Sequence, residues 1–177
     1  MNRWKFLKPF FKRALMARYL YAGLLAAIAI IIIDQSIKFY FIDGYALMGN
    51  DFAMRSDYID LILTYNRGVA FSMFAFLEGY LKYIQIALLS GILVYVIKTK
   101  PFHYTLPIGM FLGAGISNVA DRFMHEGVVD YIFWHYGFNF AVFNFADVII
   151  DIAVVWIFIL AFKESRQEKR AKEASKR

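Results

Sequence analysis

No cysteine occurs in the chain, which excludes a disulfide, a thiolate nucleophile and a thiolate-bound metal. The lack does not choose a compartment, since cysteine-free chains suit either side of a membrane. Histidine is scarce as well: only His103, His125 and His135 are present. His125-Glu126 lacks the second histidine of H-E-x-x-H, so a zinc protease is not indicated. Each histidine reads as an interfacial or structural residue. A serine mechanism also lacks its parts. Gly115-Ile116-Ser117 has no following glycine and no partner histidine on a convincing helix. Ser36 and Lys38 are two apart, and such positions do not face each other on a helix. There is no domain linker and no internal repeat. No A-x-A-like site follows the first apolar run, so that run is expected to be retained as a membrane span.

What the chain does contain is apolar surface. Hydrophobic residues make up 60% and aromatics 19%, with a mean hydropathy of +0.50. Soluble domains typically hold about 45–50% apolar residues. A single-domain integral membrane protein, mainly α, is the class that follows. The formal charge is +6. Fifteen of the 20 Lys and Arg fall in three clusters, at 3–18, 98–100 and 163–177, together with only three of the 14 acids. Alternation of this kind obeys the positive-inside rule, and it brackets apolar segments at span-length intervals. A nucleic-acid-binding tail is therefore not expected. Spans are predicted over 19–42, 80–97, 102–119 and 146–162. Four spans place both basic termini on the cytoplasmic side. The organisation is then a basic cytoplasmic segment 1–18, a four-span unit 19–162 and a basic cytoplasmic tail 163–177. The first segment mixes aromatics with cations, as suits a lipid headgroup surface.

Polar residues interrupt the apolar segments in a few places. Asp34 and Lys38 are four apart with the acid first, the favourable order for a helical ion pair. A role at the mouth of a site stands beside that structural reading. The stretch 59–65 suits a strand, Asn66-Arg67-Gly68 signals a turn, and 69–74 could return as a second strand. Gly109, Gly113 and Gly115 suit close helix packing. The densest polar stretch is 118–151, with four aspartates, an arginine and three asparagines among apolar neighbours. Asp130 follows Val128-Val129 and precedes Tyr131-Ile132-Phe133. Asp147 sits at a predicted helix start between aromatic and aliphatic residues.

Ionisable groups beside hydrocarbon call for a functional explanation. Two carboxylates brought close in apolar surroundings cannot both ionise and titrate as a pair. One proton shared between Asp130 and Asp147 would suit general acid–base hydrolysis. The alternative is that each caps a helix, a role that fits Asp147 well. Composition and spacing do not choose between these. Nor do they exclude a small transporter whose Asp34, Asp121, Asp130 and Asp147 line an ion path, although no broken or repeated span favours one.

Five motifs in order resolve the class. They are Asp34 with Lys38 (D-x-x-x-K), Asn66 with Gly68, Ala70 and Phe71 (N-x-G-x-A-F), Gly113 with Asn118, Asp121 and Arg122 (G-x-x-x-x-N-x-x-D-R), Val128-Val129-Asp130, and Phe143-Asn144 with Ala146-Asp147 (F-N-x-A-D). With these, the chain between its basic ends resembles the lipoprotein signal peptidase (bacterial signal peptidase II) family. The resemblance implies four transmembrane helices, a small extracytoplasmic β-sheet cradle and a covering loop or helix. It implies a monomeric aspartic endopeptidase of the bacterial inner membrane, without metal or cofactor and sensitive to globomycin-type cyclic peptides. Its substrates would be diacylglyceryl-modified prolipoproteins, cut on the N-terminal side of the lipidated cysteine. Carried over by motif, Asp130 and Asp147 are the catalytic pair. Asn118, Arg122 and Asn144 orient or hold the substrate and the pair. Asp34, Lys38, Asn66 and Gly68 support the site, and Asp121 belongs to a structural network with nearby cations. Val148 departs from the small polar residue often expected after Asp147, and the long basic ends have no clear family role.

Overall fold

The computed structural model describes residues 4–68, 75–99, 101–125 and 127–175. Among the described residues there are four long helices: α1 (Trp4–Met48), α2 (Glu78–Thr99), α3 (Thr105–Met124) and α4 (Phe145–Ala174). Among the described residues, three of them, α1, α2 and α4, are long and apolar enough to cross a membrane. The third predicted span, α3, has 20 residues but a lower mean hydropathy. It carries Ser117, Asn118, Asp121 and Arg122, all buried against the other elements rather than offered to lipid. The helices also outrun the predicted spans. α1 begins well before residue 19 and continues past Asp43, and α4 runs on through the basic tail.

The register of α1 on α3 explains how the bundle is built. Every fourth residue of α3 faces α1. Thr105 Oγ1 donates to the Tyr19 carbonyl, Gly109 meets Gly23, Gly113 meets Ala27, Ser117 reaches Asp34, and Asp121 reaches Lys38. The two helices therefore run parallel. A Cβ at Gly109 would lie 2.1 Å from the Gly23 carbonyl oxygen, and one at Gly113 would lie 2.6 Å from that of Ala27. Such contact between backbones needs glycine, and it is the common means of close helix association in membranes. α2 runs antiparallel to α3, with Lys82 over the Phe123 ring and Leu89 against Gly115. α4 starts beside Asp34 and also descends against α3. The start of α1, the end of α2 and the end of α4 thus lie at one end of the bundle, and the polar network with the sheet lies at the other.

Among the described residues, that sheet has three antiparallel strands in the order β1 (Ile59–Asn66), β2 (Val128–Trp134) and β3 (Val142–Phe143). β1 matches the strand expected over 59–65. The return strand expected over 69–74 lies outside the described residues. The partner seen for β1 is β2, some 60 positions later, with Thr64 opposite Asp130 and Asn66 opposite Val128. β-branched and aromatic residues dominate β2, as suits a strand buried on both faces at its start. The connection after α1 makes a short 3₁₀ turn, Gly49–Phe52, and Phe52 packs its ring among Tyr40, Phe41 and Tyr45. Phe41 in turn stacks on Tyr131 of β2 at 4.6 Å. This aromatic cluster fastens the sheet to the end of α1.

Candidate active site

The start of α4 is held by side chains from β2 and α1 and by its own cap residue. A helix N-terminus leaves its first N–H groups without intrahelical partners. Here the Phe145 N–H donates to Tyr131 Oη, the Ala146 N–H to Asp34 Oδ1, and the Asp147 N–H to Asn144 Oδ1. Asp147 Oδ2 accepts the Asn144 N–H in return, completing a capping box. The capping role weighed for Asp147 is therefore real. It occupies one carboxylate oxygen. The other, Oδ1, accepts from Asn118 Nδ2 at 2.9 Å, and Asn118 Oδ1 accepts from Lys38 Nζ at 2.8 Å.

Beneath this lies a buried charge network. Lys38 Nζ is 2.6 Å from both Asp34 Oδ2 and Asp121 Oδ2. The i, i+4 ion pair expected from the sequence is present, with Asp121 as its second acid. Ser117 Oγ donates to Asp34, and Gln35 Nε2 reaches the Ser117 oxygens and Asp121 Oδ1. The Val129 N–H donates to Asp121 Oδ2, which ties the start of β2 to α3. Asp34, Lys38 and Asp121 are all buried.

Asp130 comes from the opposite direction, on β2. Its Oδ1 accepts from Asn144 Nδ2 at 2.7 Å and its Oδ2 from Asn66 Nδ2 at 3.2 Å. The β1–β2 register makes Asn66 a diagonal neighbour of Asp130 on the same face. Asn66 Oδ1 accepts the Gly68 N–H, and the Gly68 carbonyl accepts from Arg122 Nη2. Burial, and after it the charge of Asp147, push Asp130 up to about 7. The Asn66 and Asn144 amides and the charge of Lys38 pull the other way.

Asp130 and Asp147 open onto one cavity of about 500 Å³. Asn66, Asn118 and Arg122 line it too, and aromatic and aliphatic residues of β3 and α4 complete the wall. Arg122 is buried, and its Nε and Nη1 have no hydrogen-bond partner among the described residues. Asn144 does not line the cavity but lies behind it, bound to both carboxylate-bearing residues. Asp34, Lys38, Asp121 and Gly68 stay outside the lining and brace it. Val148, the departure noted after Asp147, contributes apolar wall. The histidines lie elsewhere: His103 pairs with Glu164, His135 with Asp60, and His125 sits near the Phe39 and Tyr65 rings. The roles of Gln35, Tyr131 and Gln85 were not read from the sequence, and Ser117, weighed there as a nucleophile lacking a partner, serves instead as a donor to Asp34. A polar side chain within an apolar segment was the available signal for Gln35 and Gln85.

The sequence profile of the family described as signal peptidase (SPase) II matches residues 26–163. The chain belongs to the signal peptidase II family. Among curated relatives, the lipoprotein signal peptidase of Sulfurimonas denitrificans is 54% identical over 146 residues, covering 82% of this chain and 91% of its own. That of Helicobacter pylori (strain ATCC 700392 / 26695) is 43% identical over 142 residues, covering 79% of this chain and 86% of its own. Two solved structures, each described as a bacterial membrane enzyme, share the fold. They have TM-scores of 0.71 and 0.68 at 23% identity, covering 81% and 80% of this chain and 88% and 92% of theirs. This signal peptidase II family member is accordingly a multi-pass membrane peptidase, and the transporter alternative has no support.

Proposed function

We propose that this chain removes the signal peptide from prolipoproteins whose lipobox cysteine already carries diacylglycerol, cutting on the N-terminal side of that cysteine. The observation that carries the reading is the shared cavity: Asp130 from the sheet and Asp147 from a helix start open onto it, and one asparagine, Asn144, binds both residues. In the resting pair one proton is shared. The ionised member takes a proton from water as its oxygen attacks the scissile carbonyl carbon. The protonated member donates to the carbonyl oxygen. Collapse of the tetrahedral intermediate breaks the C–N bond, and a proton passes to the departing amine of the lipidated cysteine. The Arg122 N–H donors at the cavity wall hold a substrate carbonyl, and Asn118 and Asn144 fix the pair.

The membrane setting fits this substrate. The start of α1 and the ends of α2 and α4, where the sequence is basic, lie at one end of the bundle, which we assign to the cytoplasmic side of a bacterial inner membrane by the positive-inside rule. The cavity then lies at the outer face. α2 and α4 both pack on α3 but scarcely on each other, and residues of both line the cavity. An apolar signal helix and a lipid tail can reach the pair laterally through that cleft. Lipid held remotely contributes binding energy that positions the bond. The test is incubation of purified protein with a diacylglyceryl-modified precursor and with its unlipidated form. Cleavage of the lipidated form alone is expected; equal cleavage of both, or of neither, contradicts the reading.

A further inference from the structure

Two polar side chains at the cavity have no part in the scheme above. Gln85 lies on α2, and Asp151 lies on α4 one turn beyond Asp147, and both line the cavity. Leu89 of α2 packs on Gly115 and Asp147 accepts from Asn118, so Gln85, one turn above Leu89, stands near the level of Asp147. Asp151, four residues beyond Asp147, stands about 6 Å deeper. The Gln85 Oε1 is buried without a hydrogen-bond partner, and no hydrogen bond or ion pair engages the Asp151 side chain, among the described residues. An unpaired acceptor held at membrane depth is costly, and such groups mark ligand paths. Both groups can accept hydrogen bonds, whereas Arg122, nearer the pair, offers unpaired donors.

Main chain is a ligand that needs acceptors at this depth. A peptide bond reaches a water nucleophile only when the chain around it is extended, so the signal helix must unwind beside the pair. Its freed N–H groups then lie away from water, where each requires an acceptor. Asp151 is about 6 Å along the helix from Asp147, since four residues separate them. An extended chain advances about 3.3 Å per residue, so that depth corresponds to about two residues. We propose that Gln85 and Asp151 accept hydrogen bonds from the unwound signal-peptide backbone, Gln85 close to the scissile bond and Asp151 about two residues before it. They are substrate-positioning residues, and the inference rests on the proposed cleavage of lipidated precursors.

The experiment pairs substrate and enzyme changes. Diacylglyceryl-modified precursors carry an ester in place of the amide at each of the four residues before the scissile bond, which deletes one N–H at a time. The full chain, Gln85→Leu and Asp151→Leu are assayed in lipid nanodiscs. In the wild type, the ester about two residues before the bond should raise KM roughly five- to tenfold with kcat little changed. Each leucine variant should raise KM for the all-amide precursor by a similar factor, and Asp151→Leu should then be indifferent to that ester. An equal response to every ester in the wild type overturns the proposal, and that result needs no variant to fold. Ester penalties identical in the wild type and both variants also overturn it, and would leave a side-chain or glycerol hydroxyl as the donor. A wild type that fails on the all-amide precursor refutes the underlying cleavage reading itself, an outcome separate from the others.

Discussion

Asn144 donates from Nδ2 to Asp130 Oδ1 at 2.7 Å while its own Oδ1 accepts the Asp147 N–H at 2.9 Å. One amide therefore sets the separation of two carboxylates that arrive on different elements. Serine can replace asparagine as a helix cap but has no amide with which to reach Asp130. Asn144→Ser should keep an unfolding midpoint close to wild type yet lower kcat on the order of tenfold or more. Thermal unfolding in detergent together with steady-state cleavage checks this. A large stability loss with unchanged kcat would show that Asn144 only caps.

Lys38 is the cation between Asp34 and Asp121, and all three are buried. Lys38→Met would leave two buried acids without their cation. Breaking a buried pair in this way costs about 3–5 kcal/mol. The variant should unfold at a clearly lower temperature, and adding Asp34→Asn with Asp121→Asn should recover part of the loss. An unchanged midpoint for Lys38→Met alone would mean that the network does not brace the site.

The pH dependence follows from Asp130. Its carboxyl is pushed up to about 7 by burial and by Asp147. A pair that works with one shared proton loses it as pH rises through that range and gains a second at low pH. The profile of kcat/KM should therefore be bell-shaped with its alkaline limb near 7, a limb that belongs to the coupled pair. The Asn66 amide favours the charged form of Asp130. Asn66→Leu removes that donor, so the protonated form persists to higher pH and the alkaline limb moves up. A limb that stays fixed or moves down would detach it from Asp130.

The parts of this architecture written in local spacing were the legible ones. The Asp34–Lys38 pair follows from an i, i+4 offset, and β1 follows from its residue types and the turn signal after it. What pairs with β1 is not local, and no spacing rule reaches from Tyr65 to its partner Val129. Ser117 shows the same limit at the site. In one dimension it is a small residue after glycines; only the parallel register of α1 and α3 turns it onto Asp34 and Gln35. Asp147 posed a choice between capping and chemistry that the fold does not require. A carboxylate has two oxygens, and here one serves the cap while the other takes Asn118. The lower hydropathy of α3 has the same origin, since its polar residues are spent on buried partners rather than on lipid.

The central claim is that Asp130 and Asp147 together activate water. Its most direct test is single-turnover cleavage of a diacylglyceryl-modified precursor by purified wild type, Asp130→Asn, Asp147→Asn and Asp121→Asn, each first shown to be folded. The account predicts that the first two variants lose cleavage by several orders of magnitude while binding precursor, and that Asp121→Asn, if folded, still turns over. Full activity in Asp130→Asn or Asp147→Asn, or loss confined to Asp121→Asn, would contradict it.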